Sequence, residues 1–168
     1  MGDPILRSIS GDEKLTIRAL DGRFIIVQAK NIFRANIDPH FIQWRLSKLG
    51  IATPEISVRV YEMIKDASFA DIFNSLPGTL EQKWLTQNQV IEFCAVWPDW
   101  LRSGGFATMF LCKNDESQPI DEANPQNNLM EVGVSAKTDG LSAVVNHFDY
   151  TYVWAAKYRR RVVVPVII

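Results

Sequence analysis

Cysteine is scarce. Cys94 and Cys112 are the only two in 168 residues, too few for the disulfide framework of a small secreted domain. A reducing compartment, the cytoplasm, is the expected setting, with both thiols reduced, buried and unligated. Histidine is as rare: His40 and His147 stand alone. Neither they nor the cysteines fall at a chelating spacing such as Cys-x2-Cys, so no metal site is expected. An excess of charge of one sign is also lacking, with 18 Lys and Arg against 19 Asp and Glu and a net charge of -1. That balance is without the basic surplus of a dedicated phosphate binder. Long apolar runs are missing too. The longest, Val162 to Ile168, is broken by Pro165 and falls far short of the roughly 20 residues of a membrane helix. The opening Met1-Gly-Asp-Pro-Ile-Leu-Arg carries no basic stretch followed by an apolar one, so no secretory leader and no membrane partner are expected. Gly-x-Gly-x-x-Gly, Walker A, Gly-x-Ser-x-Gly and His-Glu-x-x-His motifs are absent, which removes the local signatures of several enzyme classes.

What is present is an ordinary globular composition, 47% apolar and 22% charged, enough to bury a core. Residues 1–14 read as a loose lead-in and residues 15–168 as a single domain. Asp21-Gly22 lies between Leu15–Leu20 and Arg23–Ala29, a pattern that predicts a hairpin. Asp38-Pro39 predicts the start of a helix running to about Leu49, with Ile37 and Ile42 as a hydrophobic staple and Gly50 as its stop. Alternation over Glu55–Met63 predicts a half-buried strand. Ser68 and Asp71 open a short helix, and Thr86-Gln-Asn-Gln89 is a capping box, flanked by Leu85 and Val90. Strands follow at Phe106–Lys113, Leu129–Ala136 and Leu141–Phe148, an antiparallel meander. The expected fold is α+β: an antiparallel sheet, made of the N-terminal hairpin and the C-terminal meander, packed with two to three short helices.

Few residues suggest chemistry. His147 and Asp149 share strand parity, an arrangement suited to a general base and its orienting carboxylate, but no nucleophile or oxyanion donor accompanies them. Loop 114–128 holds Asp115, Glu116, Asp121 and Glu122 without the frame of a calcium-binding loop, and reads as a solvated connection. The densest cluster is C-terminal: Tyr150, Tyr152, Trp154, Lys157, Tyr158, Arg159, Arg160 and Arg161. Rings among cations can stack bases and neutralise phosphates, although such a segment equally forms a sheet strand with one ringed face. In an extended strand Arg160 opposes Arg159 and Arg161. The β-forming tail is expected to dock Arg161–Val164 along the meander, with Trp154 beneath. Pro165 then marks an edge, leaving Val166, Ile167 and Ile168 for self-association by strand addition.

Asn31–Pro39, Phe69–Leu76, Leu85–Phe93, Trp100-Leu101, Phe110–Lys113 and Val153–Pro165 resemble stretches of a group of small uncharacterised bacterial proteins, mostly from uncultured lineages. The resemblance spans Asn31 to Ile168. It implies no activity, cofactor or partner, because the group has none assigned. From the residues themselves, a cytoplasmic, non-catalytic binding or protein-interaction domain is expected, with no cofactor. Its partner is an unidentified protein or a second copy of the chain. The alternatives are a nucleic-acid contact module built on the C-terminal cluster and an enzyme centred on His147 and Asp149.

Overall fold

The computed structural model describes residues 2–167. It is an α+β fold around one mixed, mostly antiparallel sheet of eight strands. The strands are β1 (Leu6–Ser8), β2 (Leu15–Ile17), β3 (Asn36–Ile37), β4 (Ile56–Met63), β5 (Ala107–Lys113), β6 (Leu129–Lys137), β7 (Gly140–His147) and β8 (Arg161–Pro165). They lie in the order β1-β4-β8-β5-β6-β7-β3, with β2 beside the first half of β4. Only β5/β8 and β3/β7 run parallel. The helices are α1 (His40–Gln43), α2 (Phe69–Asn74) and α3 (Gln87–Val96).

The meander is as the sequence predicts: β5, β6 and β7 pair antiparallel in succession. Strands β5 and β6 do not alternate between core and solvent, whereas β7 does, with Val145 buried and Val144 exposed. Residues 108–113 of β5, 129–134 of β6 and 162–164 of β8 are buried throughout, as in sheets covered on both faces. Alternate residues feed two cores. Val58, Val60, Phe110, Cys112, Val132, Val134, Val145 and Val163 meet α1, α3 and the segment around Ile26. Met63, Met109, Leu111, Leu129, Val162 and Val164 meet α2, Ile120 and Phe148. Each fully buried aliphatic side chain contributes roughly 1.5–3 kcal/mol.

Four expectations are corrected. Residues 6–8, inside the supposed lead-in, form β1 against Tyr61–Met63 of β4, because Ile5 and Leu6 pack on the second core. No hairpin forms about Asp21-Gly22. β2 pairs with β4 instead, and residues 26–28 make a 3-10 turn that buries Ile25, Ile26 and Ala29. Gly22 has a φ of 80°, and a side chain there would collide with the Ile51 backbone. It is required by the close approach of residues 20–22 to 50–53, joined by Leu20 and Thr53, not by a two-residue hairpin turn.

Helix α1 is a single turn. Its chain reverses at Arg45, φ 62°, where Leu46 N–H bonds to Phe41 O at 2.8 Å and Arg45 N–H to Ile42 O at 3.1 Å. These are the two bonds of a Schellman stop, and they tuck Leu46 beside the fully buried Phe41. Ile42, expected to staple, is 64% exposed. The fourth correction concerns the tail. Of the expected Arg161–Val164, residues Arg161–Val163 do dock on β5 of the meander, but on its other side β8 pairs with β4, so it is an inner strand. Past Val163 its place beside β5 is taken by Trp84 and Leu85, the latter donating to Leu111 O at 2.8 Å.

The expected N-caps are observed, one-sided at Ser68 and as a reciprocal box at Thr86. Ser68 accepts from Asp71 N–H. Thr86 Oγ1 accepts from Gln89 N–H at 3.1 Å and Gln89 Oε1 from Thr86 N–H at 2.9 Å, with Leu85 and Val90 fully buried. The polar first turn of α3 is buried as well. Gln87 accepts from Ile26 N–H and donates to Leu46 O, while its own N–H reaches Glu116 at 2.8 Å. The acidic loop is thus anchored: Glu116 caps α3, and Asp115 pairs with Lys48 at 2.7 Å.

Candidate binding cleft

The second core covers only part of its sheet face. Where α2 ends its coverage, Ala107 of β5, Gly133 and Ser135 of β6 and Val144 of β7 floor a cleft of about 200 Å³. Register puts Glu131 directly across from Asn146, and Gly133 across from Val144. Alternation places Glu131, Gly133 and Ser135 on this face, since Met130, Val132 and Val134 belong to the opposite core.

Glu131 is the cleft's unusual group. It is only 2% exposed, and its Oε2 accepts from Asn146 Nδ2 at 3.0 Å. Burial pushes its carboxyl up to about 8, against the opposing pull of the Asn146 hydrogen bond and the Arg160 charge. A neutral carboxylic acid, donor and acceptor at once, therefore predominates at pH 7. Gly133 keeps its flank clear: a Cβ there would lie 2.9 Å from Glu131 Oε1.

The wall is aromatic. Phe106 stacks on Tyr158 with centroids 4.6 Å apart, and Trp154 lies 5.2 Å from Phe69 and 4.6 Å from Tyr152. The Arg160 guanidinium sits among them, 4.6 Å from the Trp154 centroid, 5.4 Å from Tyr158 and 5.6 Å from Phe106. The left-handed turn at Arg159, φ 51°, sends the three arginines apart. Arg159 is exposed. Arg160 enters the ring cage, and Arg161 donates to Trp100 O at 2.9 Å and Leu101 O at 3.4 Å. The Trp154 Nε1 hydrogen is buried without an acceptor.

Of the other sequence candidates, Tyr150, Tyr152 and Tyr158 are exposed, and Tyr150 extends the rings at 6.1 Å from Tyr152. Lys157 lies over Tyr158 at 5.0 Å. Val166 donates to Ser57 O at 2.9 Å, so it continues the pairing with β4. Ile167 is 37% exposed, and Ile168 lies outside the described residues. His147 stacks on Trp44 at 4.0 Å, with His40 on that ring's far side at 4.4 Å. Among the described residues no hydrogen bond joins His147 to Asp149. Cys94 and Cys112 are buried and free, and burial raises both thiols. No cluster of three or more His, Cys, Asp or Glu fit to hold a metal occurs among the described residues. Nor is any described helix long and apolar enough to cross a membrane.

A larger groove of about 530 Å³ runs between residues 11–14, the start of β4 and Val166. Its ionisable side chains, Asp12, Glu13, Lys14, Glu55 and Arg59, are all exposed, and no buried polar group converges on it. The smaller cleft has the convergence that marks ligand sites: an apolar floor, aromatic walls and a shifted titratable group. Sequence reasoning found Trp154 and Arg160 but missed Glu131, Asn146, Phe106 and Gly133. The available signal was Glu131 itself, the single charged residue within Leu129–Ala136. Comparison with protein-family models, with curated proteins and with solved structures finds no match.

Proposed function

We propose that the protein is a non-catalytic binding domain that takes a small molecule in the cleft above Glu131. The carrying observation is a buried carboxyl whose one side-chain partner is Asn146, at the base of a ring-walled opening. A group so costly to bury gives no evident structural return and is suited to hydrogen-bonding a ligand. No nucleophile lines the cleft beside a base, which favours binding over catalysis. The test is a small-molecule screen read by NMR at the Asn146 side-chain amide and the Trp154 indole N–H. Hits that move these signals should vanish in Val144→Trp, which fills the cleft from an exposed floor position. Hits that survive that substitution would refute the cleft as the site.

A second reading is favoured by one observation: the rings of Tyr150, Tyr152 and Trp154 follow one another at 6.1 and 4.6 Å, with Lys157 and Arg159 exposed nearby. Such a platform suits single-stranded nucleic acid. Salt-sensitive binding of a labelled oligonucleotide, lost on replacing Lys157 and Arg159 with Ser, would place this reading first. Self-association by strand addition has weaker support, because the outer strands β1 and β3 are only three and two residues long.

A further inference from the structure

We propose that the cleft binds a small planar carboxylate, its anionic group seated on the Arg160 guanidinium and its apolar body lying over Ala107 and Val144. This assignment rests on the cleft being a binding site and names what it selects. Arg160 carries five N–H donors, and none of them has a hydrogen-bond or salt-bridge partner among the described residues. The guanidinium is nevertheless fixed, because three rings surround it within 5.6 Å. A fork of free donors held in one orientation is suited to a planar carboxylate, which it can grip bidentately at little entropic cost.

The remaining polar groups point to the same class. Trp154 adds a buried N–H without an acceptor, and Asn146 a second amide hydrogen beyond the one given to Glu131. Donors therefore exceed acceptors, so the complementary ligand is rich in acceptors. A cationic ligand is disfavoured twice over. The aromatic faces that would attract it are already occupied by Arg160, and Glu131 is held largely neutral at pH 7 by burial. The body of the ligand meets Phe69, Ala107, Met109 and Val144. At Gly133 the space a side chain would take is held by the Glu131 carboxyl, whose Oε1 lies 2.9 Å from where a Cβ would stand, so the ring lies beside that carboxyl.

Protonation adds a signature. Glu131 and Arg160 are the ionisable side chains lining the cleft among the described residues. Around them, Cys112 feels the Glu131 charge but is kept protonated by burial, and Tyr152 and Tyr158 face Arg160. Raising the pH past about 8 ionises Glu131 and introduces a negative charge beside the bound carboxylate.

Benzoate, benzamide and benzamidinium are isosteric probes of anion, neutral and cation. Titrated into the full chain and read by NMR at the cleft signals, benzoate should bind best. Its affinity should fall roughly tenfold between pH 7 and pH 9, since each unit above the carboxyl's pKa costs up to a factor of ten. Arg160→Gln should cost at least tenfold, with Arg160→Lys between it and the parent. If Arg160→Gln fails to fold, Glu131→Gln decides, because it should keep benzoate binding and abolish the pH dependence. Preference for benzamidinium or benzamide overturns the carboxylate assignment and leaves the cleft standing as a site for another class. Cleft signals unmoved by all three probes at millimolar concentration overturn the assignment too, and the broader screen with Val144→Trp then decides separately whether the cleft binds anything.

Discussion

Glu131 holds a proton that the unfolded chain gives up, and stability must respond. Its folded carboxyl titrates at about 8 against an ordinary 4.5. Below the ordinary range both states are protonated, so the group adds no pH dependence. Above it the unfolded chain loses its proton while the folded chain keeps it, so stability falls as pH rises, until Glu131 itself ionises near 8. The expected slope is up to about 1.4 kcal/mol per pH unit through that window. Denaturant melts from pH 5 to pH 9 should show this decline in the parent and a much flatter profile in Glu131→Gln, which keeps an acceptor for Asn146. Equal slopes in the two would place Glu131 in a wetter site than its 2% exposure implies. Lys83 is another buried ionisable side chain, 2% exposed, and its ammonium donates to Phe73 O at 2.8 Å and Leu76 O at 2.7 Å. It closes the carbonyl end of α2 with a cation, where the helix dipole favours one. Lys83→Met should cost about 1–3 kcal/mol by stranding those carbonyls. A Met variant as stable as the parent would mean that water replaces the ammonium.

At the scale of the element, local signals were legible where they completed themselves within a few residues. The Thr86–Gln89 box, the Ser68 cap, β4 and the β5–β6–β7 meander all stand where their residues placed them. Signals that depended on distant partners misled. Asp21-Gly22 looked like a hairpin turn, but β2 found β4 some forty residues on. Asp38-Pro39 began a helix, yet the burial of Leu46 against the core ended it long before Gly50. Glu131 stood out as the lone charge of its strand, but its role depended on distant partners too: Asn146 across the register and the rings of residues 106, 154 and 158 overhead. The early helix stop carries a prediction. Arg45 occupies a left-handed conformation that costs an L-residue roughly 1–2 kcal/mol. Arg45→Gly should therefore stabilise the protein by up to about 1 kcal/mol, after the extra freedom glycine gives the unfolded chain. A lower melting temperature for this variant would show that the Arg45 side chain contributes more than its backbone costs.

For the whole molecule, β8 is the joint. Strands β1, β2 and β4 form one group and β5, β6, β7 and β3 another, and β8 is the strand that pairs with both. Val162 and Val164 enter one core and Val163 the other, so the strand also bonds the two layers of side chains. Removing residues 161–168 should abolish the cooperative melting transition, read by near-ultraviolet circular dichroism. A truncated chain that still melts sharply would show that the two strand groups dock without their joint.

That joint is also the last strand in the chain order, which gives the sheet a history as well as a shape. During synthesis at roughly 5–20 residues per second, the edges of β4 and β5 emerge from the ribosome long before the strand that fills the space between them. Residues 64–106 must be made while the β4 edge has unpaired backbone groups, and residues 114–160 while the β4 and β5 edges both do. The nascent chain passes through a stretch of seconds in which two of its inner strands are open to a neighbour's, and closure waits for Arg161–Pro165 to clear the exit tunnel. Folding is in this sense vectorial, and the fourth and fifth strands cannot complete their pairing until Arg161–Pro165 has been made.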